Sequence, residues 1–147
     1  MENIRIIPAA AANKLARHLK IRETVFIAEK GVPPEIELDE HDRPGGVCDH
    51  FLIVYGQKDA GAFRCLRTAE KTVRIQRFCL LREYRGLGLG RVAMDYIRAF
   101  YITQSAERFE LNAKYEARGF YEKCGYRQIS EPFMEAGVKR VAMVMNK

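Results

Sequence analysis

The chain has 147 residues, is 48% hydrophobic and 30% charged, and carries a net charge of +6 at pH 7. That length fits one domain, residues 1–147, with a full-sized core, and the composition is that of a globular chain rather than a disordered or fibrous one. No apolar run approaches the roughly 18 residues of a membrane span, and the opening MENIRIIPAAAANK lacks the pattern of a secretory signal, so the expectation is a cytoplasmic protein with no membrane partner.

In chain order, Asn3 to Ile7 reads as a short strand. Ala12, Leu15, Ala16, Leu19 and Phe26 keep helical spacing, which predicts a helix over about residues 9 to 27. Residues 31 to 49 hold Gly31, Pro33, Pro34, Pro44, Gly45 and Gly46, with Glu35, Glu37, Asp39, Glu40 and Asp42 between them. This reads as a loop-rich acidic insert in a basic chain. Strands follow at 50–55 and 60–67, joined by a turn at Gly56 to Asp59. Thr72 to Leu80 forms a third long strand. Its alternation is clean through Gln76 and then breaks at Phe78, Cys79, Leu80 and Leu81. A bulge near Arg77–Phe78 would shift the faces in this way. Leu89, Val92, Ala93, Tyr96, Ile97, Phe100 and Tyr101 then mark one face of a long helix. Phe109 to Ala113 reads as a buried strand, Ala117 to Lys123 as a short helix capped by Gly125, and Val138 to Met145 as the last strand. The order predicts a mixed α/β fold with helices covering a sheet.

The most telling run is Arg85-Gly86-Leu87-Gly88-Leu89-Gly90-Arg91, between that third strand and the long helix. Three glycines allow close backbone approach, and a helix N-terminus offers unsatisfied N–H groups at the positive end of its dipole. The run reads as a seat for a phosphate or pyrophosphate. A dinucleotide fingerprint is not met, because Arg91 stands where the last glycine of GxGxxG belongs, and there is no Gly-Lys-Ser/Thr. The basic residues are dispersed, with no arginine-rich block, so nucleic acid is not an expected partner. Cys48, Cys65, Cys79 and Cys124 show no CxxC spacing and suggest neither a metal nor a disulfide.

Two motifs carry a family resemblance. Arg85, Gly88 and Gly90 fit Arg/Gln-x-x-Gly-x-Gly/Ala, and Ala117, Phe120, Tyr121, Glu122, Lys123, Gly125 and Tyr126 fit Ala-x-x-aromatic-Tyr-Glu-Lys-x-Gly-Tyr. Over residues 50 to 145 the chain resembles the GNAT N-acetyltransferase superfamily. The resemblance implies the acyl-CoA N-acyltransferase fold, with a mostly antiparallel twisted sheet, acetyl-CoA as cosubstrate without a metal, and a primary amine as acceptor, on a small molecule or a peptide. It places the CoA pyrophosphate on Arg85, Gly86, Leu87, Gly88, Leu89, Gly90 and Arg91, and the pantetheine arm along Phe78, Cys79 and Leu80. Tyr121 takes the position of the general acid for the departing thiolate. Where the family often has a cofactor-contacting Asn, this chain has Lys114, which reaches either a phosphate or solvent; Asn112 lies two residues earlier. Dimers are common in the family, and a homodimer stays open.

The acceptor amine must lose a proton. Glu35, Glu37, Asp39, Glu40, His41 and Glu23 are the candidate bases. The acidic insert reads alternatively as a mouth attracting a cationic acceptor, or as a solvated loop. His18 and His50 have no evident partner and are expected at the surface or an edge. The leading expectation is direct transfer in a ternary complex, since no cysteine is placed as an acyl carrier. The alternative is a non-catalytic acyl-CoA-binding or sensor module of the same fold.

Overall fold

The computed structural model describes residues 3–147. One eight-stranded sheet organises them, in the order β1-β2-β3-β4-β5-β8-β6, with β7 paired to β8. The strands are β1 (Ile4–Pro8), β2 (Cys48–Tyr55), β3 (Lys58–Ala69), β4 (Thr72–Leu80), β5 (Arg108–Lys114), β6 (Arg127–Gln128), β7 (Phe133–Glu135) and β8 (Val138–Asn146). The helices are α1 (Ala12–Arg22), α2 (Pro34–Glu37), α3 (Leu89–Ile102) and α4 (Arg118–Lys123). The pairs are antiparallel except β4 with β5. This is the mixed, mostly antiparallel architecture expected, with β6, β7 and α2 added.

Each face of the sheet has its own core. Leu89, Ala93, Met94, Ile97 and Tyr101 of α3 bury against Phe51, Ile53, Phe63, Val73, Phe109 and Leu111. Ile21 of α1 and Val25 just after it bury against Leu52, Val54, Ala62 and Cys79 on the other face. The α3 stripe is the one its spacing predicts, except that Val92 lies at the edge, exposed, and Met94 is inside.

The first helix differs from the sequence expectation at both ends. It begins at Ala12, because the Ala9 N–H is bonded to the His50 carbonyl (2.8 Å) and keeps the chain extended past Pro8. After Arg22 it widens into a π-helical turn, Glu23–Glu29, marked by the Lys30 N–H to Val25 carbonyl bond at 3.0 Å. Such turns are rare and redirect the side chains that follow.

The largest departure is the acidic insert. Glu37 is buried, and Asp42 is enclosed with it among arginines. Arg22, fully buried, donates to Glu37 (3.0 and 2.8 Å) and to Asp42 (2.6 and 2.9 Å). Arg64, also buried, donates to Asp39 (2.8 and 2.7 Å) and Asp42 (2.9 Å), and Asp42 also pairs with His50 Nε2 at 3.0 Å. Glu37, Asp39 and Asp42 are internal struts rather than solvated groups, while Glu35 and Glu40 stay exposed. Burial alone would raise the Asp42 carboxyl, but bonds from His50 and Arg22 outweigh it and hold the group ionised.

His18 and His50 are buried inside this network, contrary to the surface expectation. His18 Nδ1 donates to the Phe51 carbonyl (2.9 Å), so Nε2 is the acceptor for Arg22 Nη1 at 3.1 Å. Burial pushes the imidazole down to about 3. An unfolded histidine protonates near 6.5. As pH falls through 6.5 the unfolded chain therefore binds a proton that the folded chain refuses, and folding stability declines until pH reaches about 3. Between pH 7 and 5 the loss from His18 is about 2 kcal/mol. Urea unfolding at the two pH values should show it, and His18→Asn should flatten the slope over that window; an unchanged slope in the variant would contradict this assignment.

Candidate active site

The site begins as a gap in the sheet. β4 and β5 pair only from Thr72–Arg108 to Arg74–Glu110. Beyond that point β4 runs on to Leu80 and β5 to Lys114 unpaired with each other. The wedge between them opens into a cavity of about 810 Å³, lined by β4, β5, α4, β8 and the segment after α1.

The expected bulge in β4 is present. Ala62 pairs with Cys79 but Arg64 with Gln76, so β4 carries one extra residue, and Arg77 takes a left-handed φ of 54°. The faces shift as a result. Ile75 and Phe78 both turn to the α3 side, while Gln76 and Arg77 turn to the α1 side. The Arg77 guanidinium donates to the carbonyls of Glu37 (3.1 Å) and Ile36 (3.3 Å), which seats the insert against the wedge. Past the bulge, the Leu81 N–H bonds the Ala60 carbonyl on β3 at 2.8 Å. Alternation then aims the Phe78 and Leu80 amides away from β3, into the wedge.

The glycines divide their labour. Gly86 (φ 76°) and Gly88 (φ 87°) are left-handed and face open space; Gly88 is the N-cap of α3. The first helical bond of α3 runs from the Val92 N–H to the Gly88 carbonyl (3.3 Å), so the Leu89, Gly90 and Arg91 amides are left at the helix end. Gly90 has a packing role, since a Cβ there would sit 3.0 Å from Phe120 Cζ.

The two arginines of the run are partly engaged. Arg85 donates to both oxygens of Glu29 at 2.8 Å, and its Nε bonds the Leu80 carbonyl at 3.0 Å. It ties the end of β4 to the segment after α1, and its guanidinium holds the Glu29 carboxyl down to about 2. Arg91 donates to Asp95 (3.2 Å) and to the Lys123 carbonyl (3.1 Å) on α4.

Tyr121, on α4, lines the wedge, with its ring edge-on to Phe120 and Tyr126. Burial pushes its hydroxyl up to about 12. Phe78, Cys79, Leu80 and Arg85 line the same cavity, as do Asn112 and Lys114. Glu23, Glu35, Glu40 and His41 are not in its lining, and Glu37 reaches it already paired with Arg22 and Arg77. The free thiols of Cys48, Cys65 and Cys79 are buried and pushed up by desolvation, which keeps them protonated. Sequence reasoning missed Lys30, Arg74, Gln76, Arg77 and Arg140 as lining residues. Arg140 could be found only from strand register, which sets it opposite Lys114.

Known proteins match this chain in sequence and in fold. The family model described as "Acetyltransferase (GNAT) domain" matches residues 48–147. A Bacillus subtilis protein, BSU40680, is 39% identical over 124 residues, covering 84% of each chain. The uncharacterized N-acetyltransferase YjcF of the same organism is 34% identical over 125 residues, covering 84% of this chain and 86% of its own. An acyl-CoA N-acyltransferase from Pseudomonas aeruginosa superposes with a TM-score of 0.82 over 99% of both chains, at 22% identity, a likeness of fold. Among the described residues, no helix is long and apolar enough to cross a membrane.

Proposed function

Because the chain belongs to the acetyltransferase (GNAT) family, we propose that it transfers an acetyl group from acetyl-CoA directly to a primary amine. The observation that carries this reading is the unpaired stretch of β4, with its amide donors facing the wedge, leading straight to the left-handed glycines at the α3 N-terminus. The diphosphate sits on the α3 amides, where main-chain donors and the helix dipole favour an anion. The pantetheine arm pairs with β4 as an added strand. The Phe78 or Leu80 amide donates to the thioester carbonyl and stabilises the oxyanion that develops there.

The amine nitrogen attacks the thioester carbon, the C–S bond breaks, and the amine proton leaves to water. Tyr121 faces the departing sulfur. At about 12 its hydroxyl is protonated at any physiological pH, yet it is a weaker acid than a thiol near 8.5. Its help is therefore a hydrogen bond to the sulfur as charge builds, rather than complete proton transfer. Tyr121→Phe should lower kcat about 10-fold, below the usual range for a full general acid, with CoA affinity unchanged. A thiol-release assay with acetyl-CoA and an amine library tests the reading. Amine-dependent release is expected; CoA binding without release against any amine would favour a sensor.

A further inference from the structure

The two sides of the wedge differ in charge. Leu111 and Ala113 of β5 point to the α3 side, into the core. Lys114 alternates with them and so lies on the opposite side of the sheet. Strand register sets Arg140 of β8 directly beside it, and Lys30 approaches from the segment after α1. Arg74 and Arg77 complete this mouth, but both are paired, Arg74 with Glu110 (2.9 Å) and Arg77 with Glu37 (3.3 Å).

The remaining cations are compensated less fully. Lys30 lies 3.6 Å from Glu29, whose oxygens are both taken by Arg85. Among the described residues, no acidic side chain forms an ion pair with Lys114, and exposed Glu116 only partly offsets the neighbouring cations. Arg140 Nε is the one buried side-chain polar atom without a hydrogen bond among the described residues. It forms an ion pair with exposed Glu135 (3.4 Å) without a hydrogen bond, while Nη1 donates to the Asn112 carbonyl at 3.1 Å. A buried donor left unmatched is uncommon and asks for an acceptor. Desolvation, then Lys30 and Arg140, push the Lys114 ammonium downward, which an incoming anion would reverse.

We propose that Lys114, Arg140 and Lys30 receive an anionic group of the acceptor, so the acceptor is an amine that also carries a carboxylate or a phosphate. This rests on the transferase reading and reverses the cationic acceptor that the acidic insert suggested. Helix α3 packs on the other side of the sheet from Lys114 and Arg140, while Lys30 shares Glu29 with Arg85 of the glycine run.

The test uses matched acceptors: the twenty amino acids against their amides for a carboxylate, and phosphoethanolamine against ethanolamine for a phosphate. Each is assayed for thiol release and titrated calorimetrically into the CoA-loaded protein. The anion-bearing member of at least one series should be preferred. Lys114→Gln with Arg140→Gln should raise its KM about 10- to 100-fold, by loss of charge-assisted bonds. The acetyl-CoA KM should stay unchanged. Anionic acceptors that bind but are never acetylated would sink the transferase reading and leave this inference standing. Preference for the neutral members, binding of no anionic member, or a preference that survives the double variant would overturn it. So would a variant in which only the acetyl-CoA KM rises.

Discussion

Gly88→Glu is expected to weaken CoA binding by about two orders of magnitude. A carboxylate there would stand roughly 5 Å from a diphosphate charge, a repulsion of about 3 kcal/mol at an effective dielectric near 20, and about 1.4 kcal/mol is tenfold in affinity. The fold should tolerate the change, because a Cβ at Gly88 meets nothing within 4 Å. The residual penalty is the left-handed φ of 87°, costing on the order of 1 kcal/mol. Gly88→Asn separates the two effects, since Asn accepts this conformation and adds no charge. Titration calorimetry with CoA should show a small loss for Asn and a large one for Glu. Equal, small losses would mean that the diphosphate is held elsewhere.

Arg22→Met should destabilise the protein by about 3 kcal/mol or more, a large share of the roughly 5 to 15 kcal/mol that holds a domain together. The guanidinium reaches Glu37, Asp42, the Glu37 carbonyl and His18 from a fully buried position. Its removal strands two enclosed carboxylates; Arg77 still reaches Glu37, while Arg64 and His50 still reach Asp42, which keeps the loss toward the lower end of the range for broken buried pairs. Arg17→Met is the control. Arg17 and Asp59 form an exposed pair at 2.6 Å, worth no more than about 1 kcal/mol. Urea unfolding should separate the variants by more than 2 kcal/mol; near-equal midpoints would mean that the network does not hold the insert on the sheet.

Local patterns made the glycine run, the α3 stripe and the β4 bulge legible in the sequence. Each writes itself into neighbouring residues: φ freedom at Gly86 and Gly88, a 3.6-residue period from Leu89 to Tyr101, and broken alternation at Phe78. Tyr121 was legible only through its motif. The acidic insert misled because Glu37, Asp39 and Asp42 sit among prolines and glycines, a context that reads as solvated. Their partners, Arg22 and Arg64, lie on other elements, and no local pattern announces such long-range pairs. For the same reason His18 and His50 looked unpartnered. The basic mouth was hidden by register, since Lys114 meets Arg140 only once β5 and β8 are paired.

The proposed transfer requires CoA to lie along the wedge. In a crystal of the complex, the diphosphate should rest within hydrogen-bond distance of the amides between Leu87 and Arg91. The pantetheine should run along β4 past Phe78 and Leu80, with its sulfur beside the Tyr121 hydroxyl. A complex in which CoA occupies another surface, and both the glycine turn and the unpaired edge of β4 stay empty, would contradict it.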